Sequence, residues 1–136
     1  MNAARSPAES PRSGEPGDFG LRRGIRIHAS KEIRDLMKRG KRRRTNHLDV
    51  FFAASPESFP RLGVVVPKHR HTIVERNLVK RRLREIGRIE ILPRLREEEC
   101  ALDVLLRARP EAYGAAYEAL REELVEWVEG EACATS

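Results

Sequence analysis

The spacing of apolar and polar residues predicts a helix followed by strands in the first half of the chain. Apolar positions at helical spacing between Ser30, a candidate N-cap, and Gly40 predict a short first helix. The apolar runs 47–54 and 62–66 predict two strands, separated by a Ser- and Pro-rich turn at 55–60. Because these strands are consecutive and closely spaced, we expect them to pair in an antiparallel hairpin.

The second half is predicted to be helix, strand, helix. A long helix is predicted over about 72–91, with Pro93 just beyond it. The next segment, 102–108, is predicted to be a strand whose even-numbered residues share one face. Pro110 is expected at the first position of a last helix. That helix carries an apolar stripe formed by Tyr113, Tyr117, Leu120, Leu124, Trp127 and Val128. The pattern predicts an α+β two-layer α/β sandwich, a small mixed sheet covered by helices in the order α-β-β-(β)-α-β-α.

Both ends of the chain differ in composition from the middle. Residues 1–20 are rich in Pro, Gly, Ser and Ala, and they have too few large apolar side chains to offset their ordering entropy. We therefore expect a disordered leader over 1–20, one folded domain over 21–129 and a flexible tail over 130–136. A chain of 136 residues fits a single domain with tails.

Positive charge is concentrated in the first two thirds of the chain. Residues 1–88 contain 22 Lys and Arg against 9 Asp and Glu, whereas residues 89–136 contain 5 against 12. The net charge of +6 is therefore a local patch. Such a patch indicates a polyanionic partner, most often nucleic acid, because a merely solubilising surface mixes both signs.

One face of the long predicted helix is almost entirely cationic. At about 100° per residue, a single arc of about 140° holds Arg76, Asn77, Lys80, Arg81, Arg84 and Arg88. The opposite arc is aliphatic and consists of Leu78, Val79, Leu83 and Ile86, with Arg82 expected to snorkel from its margin. Like charges at i,i+4 repel by ~0.2–0.5 kcal/mol each. Since only Glu75 and Glu85 lie nearby, a phosphate-bearing ligand explains the face better than a merely solvated surface.

The pattern Arg-Asn-x-x-Lys-Arg-x-x-Arg, which begins at Arg76, resembles the signature of the protein component of bacterial ribonuclease P. The stretch Arg-Leu-Gly-Val-Val-Val-Pro-Lys at 61–68 is similar to the family strand that precedes this signature. Arg26 and the helix ending at Gly40 are similar to the family's first helix. The resemblance covers about 21–128, essentially the whole predicted domain.

This resemblance implies a fold and a function. The fold has a left-handed βαβ crossover, opposite to the usual hand, between the strand before the signature helix and the strand after it. The protein binds the catalytic RNA of ribonuclease P and the 5′ leader of precursor tRNA, and the ribonucleoprotein removes that leader. The RNA subunit and its magnesium ions carry the chemistry. The protein itself then needs no cofactor, metal, catalytic residue or protein partner.

The resemblance implies two contact surfaces on this chain. The first binds RNA and comprises Arg76, Asn77, Lys80, Arg81, Arg84, Arg88, Lys68, Arg70 and Arg26. The second is a leader groove beside the first helix, lined by Ile33, Met37, Phe51 and Phe52. The family often has aromatic side chains where this chain has Ile33 and Met37, so ordinary core packing is an equal alternative for both. His71 stands where many relatives have glycine.

Other features narrow the function classes. The chain has no apolar run long enough to span a membrane and only two cysteines, so we expect a cytoplasmic protein without a disulfide framework. Cations flank His69 and His71, which argues against a metal site. A structural RNA-binding protein, such as a ribosomal protein or assembly factor, is the second candidate. A membrane-surface helix is a weak third, because the aliphatic face of the basic helix is needed for the core.

Overall fold

The computed structural model describes residues 24–68, 70–130 and 132, so the predicted leader and residues 133–136 lie outside it. In chain order its elements are α1 (Ser30–Arg39), β1 (Lys41–Arg44), β2 (Leu48–Ala54), β3 (Arg61–Val65), α2 (Ile73–Ile86), α3 (Leu92–Glu97), β4 (Leu102–Ala108) and α4 (Tyr117–Gly130). A π-helical turn, Gly87–Ile91, joins α2 to α3, and a 3₁₀ helix, Pro110–Gly114, precedes α4. The predicted α+β class is confirmed.

The sheet has the strand order β1-β2-β4-β3. The strand β2 pairs antiparallel with both β1 and β4, whereas β3 pairs parallel with β4. The expected hairpin between β2 and β3 is therefore wrong, since β4 lies between them. The reason is burial: Val104, Leu105 and Leu106 are all fully buried, and a strand that is apolar on both faces belongs in the middle of a sheet.

A crossover through α2, the π-helical turn and α3 connects the parallel strands β3 and β4. It carries the basic helix across one face of the sheet. The left-handed sense implied by the family resemblance stays a prediction.

Each face of the sheet covers its own apolar core. The main core lies under α2, α3 and α4, and the even-numbered residues of β4 point into it as predicted. A smaller core lies under α1 and consists of Ile27, Leu36, Phe51 and Leu105. Strand alternation thus divides the molecule into an α2 face and an α1 face.

The long helix predicted over 72–91 is interrupted. Regular α-helix ends at Ile86, and Pro93 lies in the first turn of α3 instead of beyond the helix. Proline is tolerated there because the first N–H groups of a helix lack intrahelical partners. Gly87 marks the break, since a Cβ at this position would lie 2.2 Å from Leu62 Cδ2. The helix end therefore approaches the sheet more closely than a side chain allows.

The other helix boundaries also shift by a few residues. Ala29, not Ser30, is the N-cap of α1, while Gly40 follows the helix as expected and its N–H donates to Leu36 O. Pro110 opens the 3₁₀ helix instead of α4. In the predicted stripe the four residues from Leu120 onward are buried, but Tyr113 and Tyr117 are only half-buried.

Packing contacts continue at the C-terminal end of α4. Gly130 is the last residue of α4, and Ala132 is fully buried in the main core. The backbone N–H of Ala132 donates to Trp127 O over 3.2 Å.

Candidate nucleic-acid interface

The start of α2 is fixed by a capping box immediately before the basic residues. The Thr72 hydroxyl accepts a hydrogen bond from Glu75 N at 3.1 Å, and the Glu75 carboxylate accepts one from Thr72 N at 2.9 Å. These bonds satisfy N–H groups that a helix terminus leaves unpaired. They hold Arg76 and Asn77 in the first turns of a defined helix.

The buried side of α2 determines which residues face solvent. Val79, Leu83 and Ile86 are at most 1% exposed and anchor the helix on the sheet. Leu78 does not belong to this side, contrary to the predicted aliphatic arc, and it is 38% exposed. As the neighbour of Val79 it is rotated by about 100° from the anchored face.

Arg82 lies at the edge of the anchored side, as expected. Its guanidinium is half-buried, and Nη1 donates to the carbonyl of Ala115 at 3.0 Å. This arginine therefore joins α2 to the segment before α4 and is not part of the cationic face.

The cationic face combines exposed and half-buried groups. Asn77 and Arg81 are exposed, and the half-buried members are Arg76, Lys80, Arg84 and Arg88. Five positive charges and one amide thus lie together on the outer side of α2, where the sequence predicts them.

The nearby carboxylates do not neutralise this face. Glu75 is engaged by the capping box and by His71 Nδ1 at 3.2 Å. Glu85 accepts from Arg88 Nη2 at 2.9 Å, so Arg88 is partly compensated. Within the described ranges, no carboxylate forms an ion pair with three of the other basic residues, Arg76, Lys80 and Arg81.

Electrostatic repulsion acts within the face itself. Burial, followed by repulsion from Arg84 and Arg76, lowers the pKa of Lys80. Burial, followed by repulsion from Arg26, lowers the pKa of Arg84. Arg26 therefore lies close to the face, held there by a parallel bridge to Leu62 on β3. An anion bound at this face would relieve the repulsion.

Lys68 and Arg70 are exposed in the segment that leads into α2, and His69 between them is outside the described residues. The carbonyl of Lys68 accepts from His71 N at 2.7 Å, which closes the turn. Arg70 has a φ of 66°, a left-handed conformation that costs a non-glycine residue roughly 1 kcal/mol or more.

Three of the four residues predicted to line the leader groove lie on the α1 face. Ile33 and Met37 are partly buried and pack against the small core, so they combine core packing with residual exposure. Phe51 lies on this face. Phe52 does not: alternation turns it into the main core, where its ring centroid is 5.3 Å from that of Trp127. The assignment of Phe52 to the groove is wrong.

Three arginines that the sequence did not single out border this groove. The carboxylate of Asp49, which is 2% exposed, lies 3.2 Å from Arg42 Nη2, 3.7 Å from Arg44 Nε and 3.9 Å from Arg107 Nη1. The Arg42 guanidinium also lies 5.7 Å from the centroid of Phe51. One carboxylate faces three cations, so this edge of the groove keeps a positive charge.

The opposite edge of the groove is closed by a cluster of one arginine and two carboxylates. Arg61 donates to both oxygens of Asp103, at 2.9 and 2.7 Å, and Nη1 donates to Glu32 on α1 at 3.3 Å. The hydrogen bond to Asp103 is the main cause that raises the pKa of Arg61. This cluster ties α1 to the sheet and leaves no positive charge for a ligand.

The described residues contain neither a candidate metal site nor a candidate membrane span. In ranges 24–68, 70–130 and 132, no group of three or more His, Cys, Asp or Glu side chains is placed to hold a metal ion. Over the same ranges no helix has both the length and the apolar character needed to cross a membrane.

A small α+β domain with a largely unneutralised cationic helix face and a basic groove defines a nucleic-acid-binding protein. The family model described as Ribonuclease P matches residues 21–130, and the chain belongs to that family. The resemblance read from the signature is thereby confirmed.

Relatives and solved structures agree with this assignment. The ribonuclease P protein component of Pseudarthrobacter chlorophenolicus is 34% identical over 99 residues, covering 72% of this chain and 70% of the relative. That of Syntrophobacter fumaroxidans is 37% identical over 87 residues, covering 64% and 71%. The Staphylococcus aureus RNase P protein structure has a TM-score of 0.64 at 24% identity, covering 80% of this chain and 97% of that one, and shows the fold.

Family membership decides between the two functions left open by the sequence. The chain is a subunit of a ribonucleoprotein endoribonuclease, and its partner is an RNA. The reading as a ribosomal protein or assembly factor is not supported.

Proposed function

We propose that the α2 face binds the catalytic RNA of ribonuclease P and that the α1 groove receives the 5′ leader of precursor tRNA. The protein thereby assists endonucleolytic removal of the leader. The observation that carries this proposal is a cationic face on which three basic side chains have no carboxylate partner among the described residues. Arg76, Lys80 and Arg81 have no carboxylate partner in the described part of the chain, and they stand beside the half-buried Arg84.

Each group on the α2 face has a defined task in this proposal. Arginine forks contact phosphates in bidentate fashion, and Arg26 extends the line of positive charge toward β3. The amide of Asn77 can both donate to and accept from a base edge or a 2′-hydroxyl. Lys68 and Arg70 continue the contact at the entrance to α2, and Arg88 adds to it when it exchanges Glu85 for a phosphate.

The α1 groove suits a single strand because it joins an apolar floor to a basic edge. Phe51, Ile33 and Met37 provide the apolar floor, while Arg42 and Arg107 provide the cations. Single-stranded nucleic acid is usually held by such a combination of stacking surface and electrostatic channel.

We assign no catalytic residue, metal or cofactor to this protein. Magnesium held by the RNA subunit supplies the activated water and stabilises the charge of the transition state. The protein lowers the magnesium requirement, because its own cations neutralise phosphates that magnesium would otherwise screen. We place this activity in the cytoplasm, without a further protein partner.

The test is reconstitution of the full chain with its cognate catalytic RNA at limiting magnesium. Two substrates are compared, a precursor tRNA with a 5′ leader and the same tRNA with the leader shortened to one nucleotide. We expect the protein to restore cleavage of both and to tighten binding only of the long-leader substrate. Cleavage that the protein does not stimulate would contradict the proposal.

Two single variants distinguish the roles of the two surfaces. Arg81→Ala should weaken binding of the catalytic RNA with little effect on leader discrimination. Arg107→Ala should do the reverse, since it removes a groove cation while leaving α2 intact. Equal effects of both variants on both measurements would show that the surfaces are not assigned correctly.

A further inference from the structure

The beginning of α2 exposes apolar side chains beside the cationic face. Among the described residues, Ile73 and Val74 are the two most exposed large apolar side chains, at 68% and 78%. Leu78 lies one turn after Val74 and is 38% exposed. These three residues form the apolar patch. Because they adjoin one another on the helix surface, they differ from single exposed apolar residues, and such patches usually mark a contact site.

The apolar patch borders the two exposed members of the cationic face. Asn77 follows Val74 by three residues and Ile73 by four, so the three are neighbours on the helix surface. Helical side chains lean toward the N-terminus, which directs the Asn77 amide toward the patch. Arg81 follows Asn77 by four residues and leans toward it in the same way. Apolar, amide and guanidinium groups thus succeed one another along about 11 Å of the helix axis.

The amide and the guanidinium have unused hydrogen-bonding capacity. In the described part of the chain, neither Asn77 nor Arg81 has a hydrogen-bond or ion-pair partner. An asparagine amide carries a donor beside an acceptor, as the edge of a nucleobase does, whereas a guanidinium suits a phosphate. A ligand that matches these neighbours has an apolar face, an edge that both donates and accepts, and a negative charge.

These three properties belong to a nucleotide whose base is unpaired. A continuous A-form duplex presents phosphates, ribose hydroxyls and a shallow groove, against which aliphatic side chains gain little. A base splayed out of a loop or bulge presents its apolar face and its hydrogen-bonding edge together. The apolar patch therefore indicates an irregular RNA element instead of a regular helix.

We infer that an unpaired nucleotide of the catalytic RNA binds at the start of α2. The face of its base packs on Ile73 and Val74, and the edge of the base pairs with the amide of Asn77. A neighbouring phosphate contacts Arg81. This inference rests on the proposed function, to which it adds the apolar patch and the unpaired state of the bound nucleotide.

Two other occupants fit the apolar patch less well. A second copy of the chain, related by a two-fold axis through the patch, would bring the cationic faces of both copies together, and like charges repel. A membrane-surface helix inserts a whole apolar face, but the aliphatic side of α2 is already packed on the sheet. An RNA occupant satisfies the patch and the neighbouring cations at once.

Two RNA hairpins test the inference, one fully paired and one identical except for a single bulged adenosine, whose base is the usual partner of an asparagine amide. Fluorescence anisotropy gives the affinity of the full-length protein for each. We expect the bulged hairpin to bind about fivefold more tightly, because it adds contacts to the base. Equal affinity would overturn the inference. The α2 interface itself would still stand if both dissociation constants rose steeply with salt.

A double variant, Ile73→Thr with Val74→Thr, tests the patch itself. It keeps β-branched side chains and the net charge but makes the patch more polar. It should lose the preference for the bulged hairpin and bind the catalytic RNA about fivefold more weakly, with an unchanged slope of log K against log salt. The matched control is Ile89→Thr in the π-helical turn, because Ile89 is also β-branched and is 45% exposed. A double variant that keeps the preference would refute the assignment.

Probing with dimethyl sulfate, which methylates unpaired adenine and cytosine, examines the nucleotide in the complex itself. The unaltered protein and Ile89→Thr should protect an unpaired base of the catalytic RNA that the double variant leaves reactive. Identical base protection by all three proteins would overturn the inference. A double variant that differs from the control only in binding anionic vesicles, or only in sedimenting as a monomer, would assign the patch to a membrane or to a second copy and would equally overturn it.

Discussion

The imidazole of His71 lies flat against the phenol ring of Tyr113, with ring centroids 3.8 Å apart and planes inclined by 4°. The Tyr113 hydroxyl donates to the carbonyl of Pro67, at the end of the segment that follows β3. The stack therefore joins the residue just before α2 to the 3₁₀ helix before α4. In this chain a stacked side chain therefore defines the entrance to the basic helix.

Removing the stack should destabilise the domain. His71→Ala loses the ring contact, and we expect the free energy of unfolding to fall by about 1 kcal/mol, the usual contribution of an aromatic pair. Urea denaturation measures this change. His28→Ala is the control, because the ring of His28 is exposed and, among the described residues, hydrogen-bonds only to the carbonyl of Arg26. Equal stability of the two variants would show that the stack contributes nothing.

The capping box predicts a pH dependence. Hydrogen bonds from the Thr72 backbone and then from the His71 side chain lower the pKa of Glu75. A carboxyl whose pKa is lower in the folded state adds stability above its unfolded pKa, and this stability is lost as the pH falls through the folded pKa. The melting temperature of Glu75→Gln should therefore fall less steeply below the ordinary value of 4.5 than that of the unaltered protein.

The measurement is a series of thermal melts from neutral pH down to about pH 3, below the ordinary glutamate pKa. Glu57→Gln, in an exposed turn, serves as the control and should follow the unaltered protein. Parallel acid limbs for all three proteins would contradict the role of Glu75.

The cluster that closes the groove predicts a large loss of stability. Asp103→Ala leaves the Arg61 guanidinium buried without its main partner, and we expect a loss of about 3 kcal/mol. The double variant Arg61→Met with Asp103→Leu should recover most of that loss, because both charges are then absent. Chemical denaturation of the three proteins tests this, and a double variant no more stable than Asp103→Ala would argue against it.

The groove arginines predict an effect that depends on the leader. Replacing Arg42 and Arg107 by alanine removes two of the three cations around Asp49. The assembled ribonucleoprotein should then bind long-leader precursor tRNA more weakly, by roughly tenfold if two phosphate contacts are lost. Its affinity for the one-nucleotide leader should stay the same. A uniform loss for both substrates would place these arginines elsewhere in the complex.

The sequence allowed much of the α2 surface to be predicted because a helical period places residues on one face without any tertiary information. The anchored side and the cationic arc followed from it, whereas the capping box of Thr72 and Glu75 was not predicted. Leu78 was assigned to the wrong side of the helix. A helical wheel gives only the direction of each side chain, whereas the edge of the anchored side depends on which residues pack against the helix. The π-helical turn was missed as well: the close approach of Gly87 to Leu62 is a tertiary contact.

The sheet was harder to predict because strand order is not a local property. The parallel pairing of β3 with β4 joins segments separated by the whole crossover. The four consecutive cations of β1 are evident in the sequence. Because no strand was assigned to them, the face of the sheet on which each side chain lies could not be inferred. Once β1 is paired with β2, Arg42 lies opposite Phe51 and Arg44 opposite Asp49, which places both arginines on the α1 face.

The salt dependence of RNA binding tests the α2 interface most directly. The dissociation constant for the cognate catalytic RNA is measured over a range of salt concentrations for the unaltered protein, for the triple variant Arg76→Ala, Lys80→Ala and Arg81→Ala, and for Arg96→Ala as an exposed control on α3. If the three side chains neutralise about three phosphates, the slope of log K against log salt should become shallower by roughly two to three units in the triple variant and stay unchanged in the control. An unchanged slope in a folded triple variant would contradict the assignment of α2 as the RNA-binding surface.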